Sequence, residues 1–185
     1  RIAAVTSHID LATTFVAMTG LSSQEKTRLL GTLPGENLLE VMNGRRTRVR
    51  AGSLFCFEML SMTSMEGGSL ATGQIAFDFS AKGMVRGITT ERYKFARYFS
   101  PLDYNMPTTL EQLYAHNDVV LYDLENDPQE LCNLAADPET NGALLLAMNG
   151  ALNRLILQEI GADNGRRMGV IEQGLKANLA GQAAK

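Results

Sequence analysis

Apolar and polar positions alternate with two different periods along this chain, and the change between them marks out its elements. Ile9, Leu11, Ala12, Phe15, Val16 and Met18 recur at helical spacing after Ser7, and Gly20 stands where a left-handed stop would sit. This predicts a helix over 8–19. Leu21 to Thr32 reads as a polar loop, and 34–42 as a short helix stopped by Asn43-Gly44. From Ala51 the period shortens: Leu54, Cys56 and Met59 punctuate a strand-like stretch, followed by a Met-Ser-Gly loop over 61–73 and a short strand over 75–79.

The clearest β signal is a hairpin. Runs 84–88 and 93–99 are joined around Thr90-Glu91, and the period of two puts Tyr93, Phe95, Arg97 and Phe99 on one face. Residues 101–117 read as a long loop with two prolines, a kind of segment that tends to carry function. A last strand follows over 119–124, with Tyr122 and Leu124 on the anchoring face. Asp127-Pro128-Gln129-Glu130 has the form of a capping box that opens a short helical turn, closed by Asn133. Asp137-Pro138 repeats the start signal. Leu145, Met148, Leu152, Leu155, Ile156 and Glu159 then fall at three- and four-residue steps, which predicts a long amphipathic helix over 140–160 that ends at Gly161 and covers the sheet. The tail over 166–185 is Gly/Ala-rich and weakly patterned, and no internal repeat is visible.

Composition narrows the classes of function. The chain has 185 residues and a formal charge of −3, with both signs interspersed, so it lacks the basic stripe that a phosphate backbone requires. No nucleic-acid partner is expected. Its apolar runs are far shorter than the roughly 20 residues that cross a bilayer, so no membrane span is expected. The start, RIAAVTSHID, shows neither an initiator Met nor a leader pattern, which is the expectation for a fragment. The two cysteines, Cys56 and Cys132, have no second Cys or His at zinc spacing, and read as buried or idle thiols or a single bridge.

Four segments, in order, carry a family resemblance. Residues 6–21, TSHIDLATTFVAMTGL, are similar to a segment with Asp-Leu-x-Pro-Thr at a helix start, with Thr13 in place of the proline. LPGENLLEVMNG (33–44) resembles a G-x-S-L-x-x-x-L-x-G segment, and RGITTERYKFARYF (86–99) a strand pair containing R-Y-K. VVLYDLENDPQELCNLA (119–135) resembles E-L-Y-D-L-x-x-D-P-x-E-x-x-N-L. Together they resemble the C-terminal portion of the formylglycine-dependent sulfatases, arylsulfatase-like members of the alkaline phosphatase superfamily.

The resemblance implies an α/β fold: edge elements of an alkaline-phosphatase-like sandwich over 1–50, then a small antiparallel sheet packed against one long C-terminal helix over 51–162, then a tail over 163–185. It implies hydrolysis of sulfate esters of a small molecule or glycan by a formylglycine made within C/S-x-P-x-R, beside a calcium ion. Neither that motif nor the metal ligands are in this sequence. Cys56 lies in FCFEML, with no Pro or Arg at the needed spacing, so it is not the nucleophile.

The chain is therefore expected to hold no catalytic residue, cofactor or metal of its own. It would be inactive alone, with the N-terminal catalytic portion as its partner and self-association through an uncovered apolar face. The resemblance is compatible with a periplasmic or secreted setting. Asp163-Asn164-Gly165 and Glu66-Gly67-Gly68 imitate family ligand segments out of order and read as a helix-ending turn and a loop.

Two substrate-proximal candidates remain. His8 is placed by resemblance near the rim of the active-site half, with a helix-start or core histidine as the competing reading, and His116 in the long loop toward the pocket mouth, with a solvated loop histidine as the competing reading. Lys94 and Arg97 fall on opposite faces of a regular strand and so form no joint anion cradle. The Arg45–Arg50 run reads as a charged linker between subdomains. Two other readings stay open: a binding or assembly module using the Met-rich 59–65 segment, and a phosphoric or phosphonic ester hydrolase of the same superfamily.

Overall fold

The computed structural model of the chain describes residues 4–58, 61–62, 77–78 and 80–164. The 61–73 loop, the 75–79 strand and the 59–65 segment lie mostly outside the described residues. Glu66-Gly67-Gly68 and the 166–185 tail lie wholly outside them.

Three short helices precede the sheet: α1 (Asp10–Ala17), α2 (Ser23–Leu30) and α3 (Leu39–Met42). The strands are β1 (Ser53–Glu58), β2 (Ser61–Met62), β3 (Phe77–Asp78), β4 (Met84–Thr89), β5 (Tyr93–Phe99) and β6 (Asp118–Asp123), with α4 (Leu110–His116) between β5 and β6. A 3-10 turn over Leu134–Ala136 leads into α5 (Pro138–Glu159). Strands β1, β4, β5 and β6 form a four-stranded antiparallel sheet in that order, and β2 pairs with β3. The fold is mixed α/β, an antiparallel sheet covered by a long C-terminal helix.

The register explains which side chains meet the helix. Ile88 stands opposite Phe95, and Phe95 opposite Leu121, so all three project from one face. That face also carries Arg86, Arg97 and Val119. From α5, Leu145, Met148, Leu152 and Ile156 descend on it, and these residues make one buried cluster. The helix begins as its sequence dictates: Asp137 accepts from the Thr140 amide at 3.1 Å, and Pro138 occupies the first turn, where its missing N–H costs nothing. It ends at Gly161, whose φ of +86° only glycine adopts without strain, with its amide on the Ile156 carbonyl. Since Leu152 is fully buried between the helix and the sheet, Leu152→Ala should lower the unfolding free energy by about 2–5 kcal/mol. Urea unfolding of the two forms measures this; a loss below 1 kcal/mol would mean the helix is only loosely seated.

Several local expectations are corrected. The segment over 21–32 is not all loop, because Ser22 and Glu25 close a reciprocal capping box at the head of α2. The long 101–117 segment contains α4, capped by Thr109 accepting from the Gln112 amide. Helix α1 stops at Ala17, short of Gly20. The turn after β6 does not become a helix: Asp127 accepts from the Leu131 and Cys132 amides, while Glu130 takes a φ of +58° and reaches Lys94 at 2.7 Å instead of capping. The anchoring residues of β6 are Val119 and Leu121, and Tyr122 lies half-buried on the opposite face. Asn133 does close the segment: its carbonyl oxygen accepts from the amides of Leu121 and Ala135, and its amide donates to the Val119 carbonyl.

Candidate functional site

Three arginines, Arg50, Arg86 and Arg97, are drawn inside the molecule, and each solves the problem of burial in its own way. Arg86, on β4, is 1% exposed. Its guanidinium makes a two-point contact with Asp163 at 2.8 and 2.9 Å, and also reaches Glu58 on β1 at 2.6 Å and the Val85 carbonyl. It also lies over the rings of Phe99 and Tyr104, at 5.6 and 5.7 Å from their centroids. Burial alone would make Arg86 less basic, but the bonds and charges of Asp163 and Glu58 outweigh it and raise its pKa. The phenol of Tyr104 is pushed up to about 12, mainly by burial and then by the Glu58 charge.

Arg50 belongs to the Arg45–Arg50 run but is no solvated linker residue. It pairs with Asp10 at the start of α1, through Nε at 3.1 Å and a second, close contact from its NH2 group. It also reaches Glu159 at the end of α5 at 2.7 Å. One guanidinium thus ties the N-terminal helix to the helix that covers the sheet. Asp10 further accepts from the amides of Ser7 and Glu36, at 2.7 and 2.9 Å.

Arg97, on β5, is fully buried with no carboxylate in contact among the described residues. It donates to the side-chain oxygens of Asn149 and Asn153 on α5, both at 2.7 Å, and to the Asn105 carbonyl, while its Nε has no partner among the described residues. Desolvation lowers its pKa to about 10, so it stays charged at neutral pH. The two asparagines also hold the Pro107 carbonyl, at 2.7 and 2.8 Å, and so pin the segment between β5 and α4 to the helix.

Beside Arg86 opens a cleft of about 520 Å³ between β1, the chain before α1 and the turn after α5. His8, Cys56, Glu58, Arg86, Glu159 and Asp163 contribute to its walls. Carboxylates outnumber cations there, so the lining does not make an anion cradle. Cys56 stands on this wall open to solvent, yet the protein atoms crowded about it raise its thiol pKa, which makes it a poor nucleophile.

No family model matches the chain, and no curated protein matches it in sequence. Among solved structures, the putative sulfatase yidJ from Bacteroides fragilis superposes on 81% of this chain at 18% identity with a TM-score of 0.50. The chain has a sulfatase-like fold. A structure from the glycosaminoglycan metabolism of Bacteroides thetaiotaomicron matches at 21% identity over 78% of the chain, TM-score 0.48, and the phosphonate monoester hydrolase of Agrobacterium radiobacter at 23% over 69%, TM-score 0.43. At these identities the likeness is one of fold. The chain spans about a quarter of the length of these structures: 24%, 26% and 21%.

The structure separates the two candidate histidines. His8 is exposed at the edge of the cleft that Arg86 lines. His116 is not in a loop but in the last turn of α4, exposed, with Nδ1 3.5 Å from Asp103, and it does not line that cleft. The described residues do not fit a calcium ion. No group of three His, Cys, Asp or Glu among the described residues could hold a metal, and Asp163 of the Asp-Asn-Gly sequence has both carboxylate oxygens on Arg86. Lys94 and Arg97 do project to opposite sides, the one to Glu130 and the other beneath α5. The sequence reading passed over Arg86 and Arg50 as buried ions. Arg86 was open to detection, because it stands cross-strand from Arg97 in the hairpin and so shares its buried face.

Proposed function

We propose that this chain is the C-terminal portion of a sulfatase that hydrolyses sulfate esters of a small molecule or glycan, that it contributes scaffold and substrate-facing surface, and that it is inactive alone. The observation that carries this reading is the coincidence of a sulfatase-like fold with a site whose charged groups are already committed to one another. Asp163, Glu58, Asp10 and Glu159 are all engaged by buried arginines, which leaves them to hold elements together. The sequence has no C/S-x-P-x-R segment, so the formylglycine and its calcium belong to a portion outside these residues. Within the chain, His8 is the better substrate-facing candidate, since it borders a cleft large enough for a sugar ring, whereas His116 pairs with a local aspartate.

Two measurements test this. The purified chain should turn over neither 4-nitrophenyl sulfate nor a 4-nitrophenyl phosphonate ester, with or without calcium; turnover of either by this chain would contradict it. The reading frame upstream of Arg1 should encode a C/S-x-P-x-R segment and aspartate metal ligands. A frame without them would remove the sulfatase assignment.

A further inference from the structure

A second cleft, of about 340 Å³, adjoins the one beside Arg86, and its size lies within the roughly 300–1,000 Å³ of small-ligand sites. Arg50 stands on its wall, while Glu159, which Arg50 holds at 2.7 Å, stands on the wall of the Arg86 cleft. That ion pair is thus the partition between the two clefts, and Pro34 lines both. Apolar surface in the second cleft comes from Pro34, from buried Ile88 on β4 and from half-buried Leu155 on α5. What sets its walls apart is charge without a partner. Arg154 and Gln158, one turn apart on α5, and Glu36, in the chain before α3, are all exposed, and none of these three side chains has a hydrogen bond or ion pair among the described residues. Arg154 and Glu36 share the cleft without pairing with each other. The arginine of the neighbouring cleft is in the opposite condition, because Asp163 and Glu58 take its guanidinium.

We infer that this second cleft binds a sulfated sugar unit, with Arg154 as the residue that reads the sulfate. A guanidinium with all its donors free offers a sulfate group two parallel hydrogen bonds, which a committed one such as Arg86 does not. Glu36 accepts from the hydroxyls of the same sugar, Gln158 donates or accepts beside them, and the apolar face of the ring rests on Pro34, Ile88 and Leu155. A glycan that starts in the Arg86 cleft and crosses Pro34 meets its first free guanidinium here. The inference rests on the reading of the ligand as a sulfated glycan and adds where on the chain a sulfate is recognised.

The test is calorimetric titration of the 185-residue chain with a heparin-derived tetrasaccharide and with the same tetrasaccharide stripped of its sulfates. Arg154→Gln should weaken binding of the sulfated form about tenfold, as the loss of a charge-assisted hydrogen bond does, and leave the desulfated form unaffected. Glu36→Gln separates a built site from general attraction: it removes a negative charge, so attraction by overall charge alone predicts tighter binding, whereas the site predicts binding several-fold weaker. Arg46 is exposed and does not line the cleft, so Arg46→Gln should change nothing. All three variants alter exposed side chains and should keep the parent's melting temperature. No binding by the parent, tighter binding by Glu36→Gln, an equal loss from Arg46→Gln, or an equally Arg154-dependent binding of the desulfated form would each overturn the assignment. Failure of the sulfatase reading is separate, being visible as a reading frame without C/S-x-P-x-R, and Arg154-dependent binding found beside such a frame would still support the sulfate site.

Discussion

Arg86→Met is expected to be the most damaging single substitution in the sheet, lowering the unfolding free energy by about 3–5 kcal/mol. Methionine fills much of the arginine volume, so the loss is electrostatic and not a matter of packing. What remains is Asp163, whose side chain is 5% exposed, with no cation to meet either oxygen. Glu58 matters less, because at 35% side-chain exposure water can solvate it. Removing both members of the tight pair, in Arg86→Met/Asp163→Ala, should recover much of the loss, since a buried ion pair replaced by apolar groups is often close to neutral. For a domain of this size the single substitution corresponds to a fall in Tm on the order of 10 °C. Thermal and urea unfolding of the two variants decide the matter: if Arg86→Met lies within 1 kcal/mol of the parent, Asp163 does not depend on it.

The second large effect concerns Asp10. Burial opposes its ionisation, but the bonds from Arg50 and from the Glu36 and Ser7 amides outweigh that and hold its pKa below the ordinary 3.8. The carboxylate accepts from four donors, whereas asparagine has a single carbonyl oxygen and turns an amide toward groups that themselves donate. Asp10→Asn should therefore destabilise the N-terminal helices by about 3 kcal/mol at neutral pH.

The pH dependence follows with a definite sign. A carboxylate whose folded pKa lies below its unfolded value contributes fully above the unfolded value, and loses that contribution as pH falls through the folded one. The parent should thus weaken progressively below about pH 4, and the Asp10→Asn variant should show a shallower acid limb. The carboxylates of half-buried Asp123 and exposed Asp137 are also held down, by Arg92 and by Thr140 respectively, and they act in both proteins. Only the difference between the two curves reports on Asp10. Parallel curves from pH 3 to 7 would show that the Arg50 bridge contributes nothing.

Much of this architecture was legible because it is specified by short-range rules. The hairpin declared itself through a period of two on both sides of Thr90-Glu91, and its register then placed Phe95, Arg97 and Phe99 on one buried face. Helix α5 was equally plain, with Asp137-Pro138 at its start, an apolar stripe along it and a glycine after it. Helices α2 and α4 were missed although their caps, Ser22 with Glu25 and Thr109 with Gln112, stand in the sequence. The reason is that SQEKTRLL carries no apolar stripe and LEQLYAH follows a proline-containing segment, so capping had no periodic support. The Asp127-Pro128 signal failed in the other direction. Its glutamate found Lys94, 36 residues away, and that contact replaced the local cap.

By itself, then, the sequence determined the hairpin strands and the face shared by Phe95, Arg97 and Phe99, the last strand, the long helix and the resemblance to a sulfatase portion, all of which depend on neighbours within a few residues or on ordered motifs; β2 (Ser61–Met62) fell in a segment that reads as loop. Tertiary structure alone decided what the charged residues do. Arg86 meets Asp163 across 77 positions, Arg50 meets Asp10 across 40 and Glu159 across 109, and no periodicity in a chain encodes such partners. A buried cation must find an anion or a set of polar groups wherever folding brings one, because the desolvation it suffers does not depend on separation in sequence.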